Sequence, residues 1–155
     1  MTARLSHVEV EGGGDRAPPP EIEQERAVAI FDLLEDNRFA LVGGPDGPYR
    51  LKLGIESGKL RFGLVPEGGG DPAVFALQVG SLRQVVKDYG QICRSYYEAV
   101  RMQVPSETEA LDEARRAIHH EGGRVMQERL AGRAELDEAT ARRLFTLVCA
   151  LMPSE

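Results

Sequence analysis

A chain of 155 residues is the size of one domain, and a fold of that size buries roughly 68–70% of its unfolded surface without a disulfide or metal staple. Its 42% hydrophobic and 28% charged residues exclude a disordered chain, and no apolar run approaches the ~18 residues needed to cross a bilayer. The net charge of −6, from 19 basic and 25 acidic residues, argues against a grip on nucleic-acid phosphates, so nucleic acid is not an expected partner.

The opening MTARLSHVEV lacks an apolar stretch behind a basic one, and the two cysteines, Cys93 and Cys149, share no CxxC spacing. Both features fit a cytoplasmic protein with reduced thiols. Lys occurs only at positions 52, 59 and 87. Arg supplies the other cations, a bias that suits anion recognition but that the codon usage of a G+C-rich genome explains better.

Residues 4–10 alternate well enough to form a strand, with Leu5, Val8 and Val10 set against Arg4, His7 and Glu9 and a slip at Ser6–His7. The Gly- and Pro-rich residues 12–20 form a connector. Its three glycines are not a phosphate loop, because no Lys-Ser/Thr follows. Pro20 opens a helix, with Glu21, Glu23 and Glu25 at its positive end. Ala27, Ile30, Phe31 and Leu34 form its expected buried stripe, and it fades near Asn37.

Three alternating runs follow: Tyr49-Leu51-Leu53, Leu60-Phe62-Leu64, and Val74 to Val79. Turn signals separate them, at Gly43 to Pro48, Glu56-Ser57-Gly58 and Pro66 to Pro72. Short joints between alternating runs predict an antiparallel meander with one apolar face.

The remainder reads as helix. Ser81 caps a long helix whose apolar face runs through Leu82, Val85, Val86, Tyr89, Ile92, Cys93, Tyr96, Tyr97 and Val100. Ser106 with Glu109 spells a capping box for the next. The pair Gly122-Gly123 predicts a kink or break, and Gly132 closes that segment. Asp137 caps a last helix through Leu144, Phe145 and Val148, which Pro153 ends. Strands and helices are thus segregated, and the expected class is α+β. The expected build over residues 1–155 is one domain, a small antiparallel sheet of the N-terminal strand plus the meander, packed against four to five helices.

Several blocks carry a resemblance: AVAIFDLLEDNRF (27–39), GPYRLKL (47–53), VVKDYGQIC (85–93), SYYEAVR (95–101), RRAIHHEGG (115–123) and TARRLFTLVCAL (140–151). Together they resemble uncharacterised protein family 0262 of bacteria over roughly residues 22–152. His120 departs from the amide more usual there, and residues 12–20 look looser. The family has no established activity, so the resemblance implies a cytoplasmic bacterial setting without a mechanism and transfers no catalytic residue.

Chemically capable side chains are densest at Arg115-Arg116-Ala117-Ile118-His119-His120-Glu121. Helical spacing stacks Arg115 with His119 beside the buried stripe, and Arg116 with His120 further round, near Asp112. Two guanidiniums, an imidazole that titrates near neutrality and a carboxylate could hold an anion and move a proton. Arg115, Arg116, His119 and Glu121 are therefore candidate ligand contacts, and His119 the candidate acid or base. The plain alternative is that Arg116, His120 and Asp112 form a solvated helix face with an exposed ion pair, worth ~0–1 kcal/mol.

No metal is expected, since HxxxH is missing and adjacent His119 and His120 point about 100° apart. Cys93 sits mid-stripe without the exposure or cationic neighbour that a nucleophile needs. No cofactor motif is present. The sequence therefore favours a non-catalytic interaction module that binds a protein or a small anionic ligand. The alternative is a small enzyme acting on a phosphorylated or carboxylated substrate through the Arg/His group. An exposed apolar patch would favour the former, and a pocket joining Arg115, His119 and a tyrosine hydroxyl the latter.

Overall fold

The computed structural model describes residues 2–11 and 20–152. Ten elements follow in order: β1 (Leu5–Val10), α1 (Pro20–Glu35), β2 (Phe39–Leu41), β3 (Tyr49–Glu56), β4 (Lys59–Pro66), β5 (Ala73–Gln78), α2 (Gly80–Met102), α3 (Pro105–Leu130), β6 (Ala134–Leu136) and α4 (Glu138–Leu151). The class is α+β, as expected. The connector before α1 and the stop at Pro153 lie outside the described residues, Pro20 excepted.

The main sheet has the order β1-β3-β4-β5. The meander β3-β4-β5 is antiparallel throughout, pairing Leu51 with Leu64 and Phe62 with Phe75. Ser57 and Gly58, both at positive φ (53° and 75°), make its first joint the two-residue turn that matches strand twist. β1, by contrast, lies parallel to β3, with Val8 beside Leu51 and Val10 beside Leu53. The sheet is therefore mixed and not wholly antiparallel. A strand returning beside another in the same direction needs a crossover, and α1 supplies it. The register of β1 shifts between Leu5 and His7, where the alternation slips in the sequence.

Alternate residues of the sheet enter the core: Leu5, Tyr49, Leu51, Leu53, Leu60, Phe62, Leu64, Phe75 and Leu77. The central helix is α4, which packs on α1 and α3 and buries Ala141, Leu144, Phe145, Leu147, Val148 and Leu151. Asp137 caps it, its Oδ1 accepting from the Thr140 amide at 3.0 Å.

Four local expectations change. The stripe of α1 is rotated: Ala29 and Leu33 are buried, whereas Phe31 is 63% and Leu34 43% exposed. α3 begins at Pro105 with Val104 as cap and no side-chain cap bond, so Ser106 lies inside the helix and forms no capping box. The α2 cap position is Val79, and α2 starts at Gly80; the Ser81 side chain lies outside the description.

The fourth change is that α3 runs unbroken through Gly122-Gly123. Those glycines are there for contact: a Cβ on Gly122 would overlap the Phe145 ring, and one on Gly123 would lie 2.5 Å from Arg142 Cγ. They let α3 and α4 approach closely. A second, two-stranded sheet, β2 with β6, pairs Phe39 with Leu136; three-residue strands are too short for alternation to announce them.

Candidate functional site

Four helices bring a polar cluster together beneath the surface. α1 contributes Glu25, whose carboxylate accepts two phenol hydroxyls from α2: Tyr89 Oη at 2.9 Å and Tyr97 Oη at 2.6 Å. The placement follows from spacing. Glu25 lies four residues before Ala29 and eight before Leu33, the buried positions of its helix. Burial, and then the bonded Glu25, push both phenols above their usual range. One turn from Tyr89 is Cys93, buried and raised to about 11 by burial and by Glu25. Its thiol is an inert core group.

From α3, Arg115 and His119 reach the same cluster. Arg115 bonds Asp112 Oδ1 at 2.7 Å and stacks its guanidinium 4.8 Å from the Tyr96 ring centre. Burial alone would lower its pKa, but Asp112 and Tyr89 outweigh that and hold it charged. Its Nε is buried with no hydrogen-bond partner among the described residues.

His119 lies between the rings of Tyr89 (5.3 Å) and Phe145 (5.8 Å). Its Nε2 is 2.7 Å from Thr146 Oγ1, and that hydroxyl donates to the Arg142 carbonyl at 3.3 Å. Burial is the largest cause lowering its pKa below 6.5, Arg142 and Arg115 lower it further, and Glu25 opposes them.

The other sequence candidates face away. Arg116, its side chain 76% exposed, shares Asp112 with Arg115. Its hydrogen bond is the first cause holding the Asp112 carboxyl below its usual range, with that of Arg115 second. Glu121 is clamped by Arg124, whose Nε donates at 2.8 Å, and His120 is exposed. The segment 115–121 thus divides, with Arg115 and His119 inward and Arg116, His120 and Glu121 in solvent. Among the described residues, no group of three or more His, Cys, Asp or Glu is placed to hold a metal ion, and no helix is long and apolar enough to cross a membrane.

Sequence reasoning placed the three tyrosines on the inner stripe and missed Glu25 and Thr146. Thr146 carried a signal as the polar residue within LFTLVCAL, whereas Glu25 is in phase only with Ala29 and Leu33, the core positions the structure shows.

A second feature lies on α1. Val28, Phe31 and Leu34 are 50%, 63% and 43% exposed and recur every three residues, so they form one ridge along the outside of the helix. Besides the inward Glu25, the helix bearing it has Glu21, Glu23, Asp32 and Glu35 against a single cation, Arg26, which is tied to Glu23 at 2.7 Å.

Residues 2–153 match the model of the uncharacterised protein family UPF0262. The chain belongs to that family. A UPF0262 protein of Jannaschia sp. (strain CCS1) is 54% identical over 149 residues, covering 95% of this chain and 96% of its own. One from Ruegeria pomeroyi is 53% identical over 154 residues, with 96% of each chain covered. One from Paracoccus denitrificans is 52% identical over 155 residues, covering 97% and 96%. No solved structure matches the chain. The family is bacterial and has no assigned function.

Proposed function

We propose that the protein is a non-catalytic interaction module that docks a protein partner on the outer ridge of α1. The observation that carries this reading is the exposure of Val28, Phe31 and Leu34 on one helix face. Water does not favour three large apolar groups in a row, and a helix presenting anchors at such spacing fits an apolar groove. The acidic flanks of α1 select the partner's chemistry. Two copies joined ridge to ridge would oppose carboxylates to carboxylates, whereas a groove rimmed by Lys or Arg would be complementary.

The test is a photo-crosslinking residue in place of Phe31, with a control at exposed Arg83, in cells expressing the tagged chain. The module reading expects one protein trapped at 31 and not at 83, and lost when Val28 and Leu34 are both changed to Glu. If position 31 traps nothing beyond the control, or only another copy of the chain, the reading is wrong.

A second reading keeps a small-anion site at Arg115, supported by its unpartnered Nε and by the convergence of Arg115, His119 and the Tyr89 hydroxyl. Against it, the guanidinium is already bonded to Asp112 and stacked on Tyr96, and His119 Nε2 is hydrogen-bonded with Thr146. A phosphate or carboxylate bound at Nε would lie beside the like charge of Asp112.

A further inference from the structure

The two edges of the main sheet differ. At the β1 edge, Asn37 Nδ2 donates to the Leu5 carbonyl at 3.0 Å and Asn37 Oδ1 accepts the Leu5 amide at 2.7 Å. Glu9 and Glu11 add charge beside it, holding Lys52 at 3.9 and 3.2 Å. Such devices discourage an incoming strand. The β5 edge has one such bond, at its last residue Gln78; Ala73–Gln78 itself contains no charged residue and no proline, and among the described residues its sheet neighbour is β4 alone. Half of its backbone N–H and C=O groups therefore point away from the sheet.

Two guanidiniums stand beside this edge. Arg129 Nη2 donates to the carbonyl of Gln78, the last residue of the strand, and Arg129 Nε is buried without a hydrogen-bond partner among the described residues. Arg133 lies over the Phe75 ring at 5.4 Å. Among the described residues neither makes an ion pair with a carboxylate, in a chain with six more acidic than basic groups. On the opposite face of the strand Val74 is 57% exposed.

We infer that β5 accepts an extended acidic segment of a partner protein as a fifth strand. Main-chain hydrogen bonds would provide the attachment. Carboxylates on alternate residues would meet Arg129 and Arg133, and the intervening side chains would cover Val74. A second copy is the poorer occupant, because pairing β5 with itself across a twofold axis brings both copies' Arg129 and Arg133 together. This surface is separate from the α1 ridge and does not rest on it.

The probe is an acetylated eight-residue peptide alternating Glu and Val, labelled for fluorescence anisotropy and titrated with the full chain. Saturable binding is expected, weakened at least tenfold by the Arg129→Gln/Arg133→Gln pair and absent for the Lys/Val counterpart. Two further peptides, N-methylated on odd or on even residues, are tested on the unaltered chain. Only one set of amides faces β5, so one peptide should bind and the other fail. No saturable binding at millimolar peptide would overturn the inference, as would equal binding of the two methylated peptides, which marks contact by charge alone. A wild-type chain running at twice its monomer mass and returned to single mass by Val74→Lys would assign the edge to a second copy instead.

Discussion

Glu25 Oε2 accepts the Tyr97 hydroxyl at 2.6 Å across 72 residues of sequence, and the same carboxylate holds Tyr89 through Oε1 at 2.9 Å. One side chain of α1 thereby fastens two turns of α2. Removing one partner of a half-buried hydrogen bond leaves the other poorly solvated, which costs about 1–3 kcal/mol. Tyr97→Phe should lower stability in urea by about that amount, and Glu25→Gln should do so as well. Because both act on one contact, the double variant should lose less than the two single losses combined. Strict additivity would show that the helices are held by packing alone.

Gly122→Ala separates close packing from a helix break. In an exposed helix interior, alanine is favoured over glycine by ~1 kcal/mol. Here the added methyl meets the Phe145 ring, and overpacking costs about 1–3 kcal/mol. Net destabilisation is expected, partly restored by Phe145→Leu. A gain in stability on thermal unfolding would restore the break.

The rotated phase of α1 makes a paired prediction. Phe31→Glu replaces a side chain that is already 63% exposed and should leave stability within about 0.5 kcal/mol of wild type. Leu33→Ala removes a fully buried group and should cost about 2–5 kcal/mol. The stripe expected from sequence predicts the reverse order in urea denaturation.

His119 gives a pH dependence with a definite sign. Its folded-state pKa lies below the ordinary 6.5, first because it is buried. The groups facing it are Tyr89, Phe145, Thr146, Arg142, Arg115 and Glu25. Above 6.5 both folded and unfolded states hold it neutral, and it costs nothing. As pH falls below 6.5 the unfolded chain takes up the proton first, so stability drops. Subtracting the His119→Gln curve from the wild-type curve between pH 5 and 8 should isolate that fall, and a flat difference would place His119 in solvent.

Phosphate, carboxylate and nucleotide panels bear on Arg115. Because Asp112 and Tyr96 occupy its guanidinium, no thermal shift is expected beyond that of matched salt. A ligand at a hundred times its Kd stabilises by about 2.7 kcal/mol. A rise of that order, lost in an Arg115→Ala/His119→Ala variant, would establish the small-anion site.

Legibility in the sequence tracked how much each pattern was asked to decide. The face of α2 could be read because its apolar residues form one stripe and leave the rest polar. Position 27 to 34 of α1 reads AVAIFDLL, apolar nearly all round, so periodicity sets no phase there, and packing into the common core selects Ala29 and Leu33. Arg115 and His119 were found as a pair because they are neighbours on one helix. Glu25 and Thr146 come from other helices, and no local rule joins residues so far apart.

What the sequence alone determined is the class, the meander, the turn at Ser57-Gly58 and the Asp137 cap, since each depends on residues within a few positions of one another. Tertiary structure decided the parallel pairing of β1, the close approach at Gly122 and the partners of Arg115 and His119. It also decided which apolar face of α1 is left in water. Each of those depends on which distant surface arrives to cover a group, and packing against that surface is settled only when the whole chain has folded.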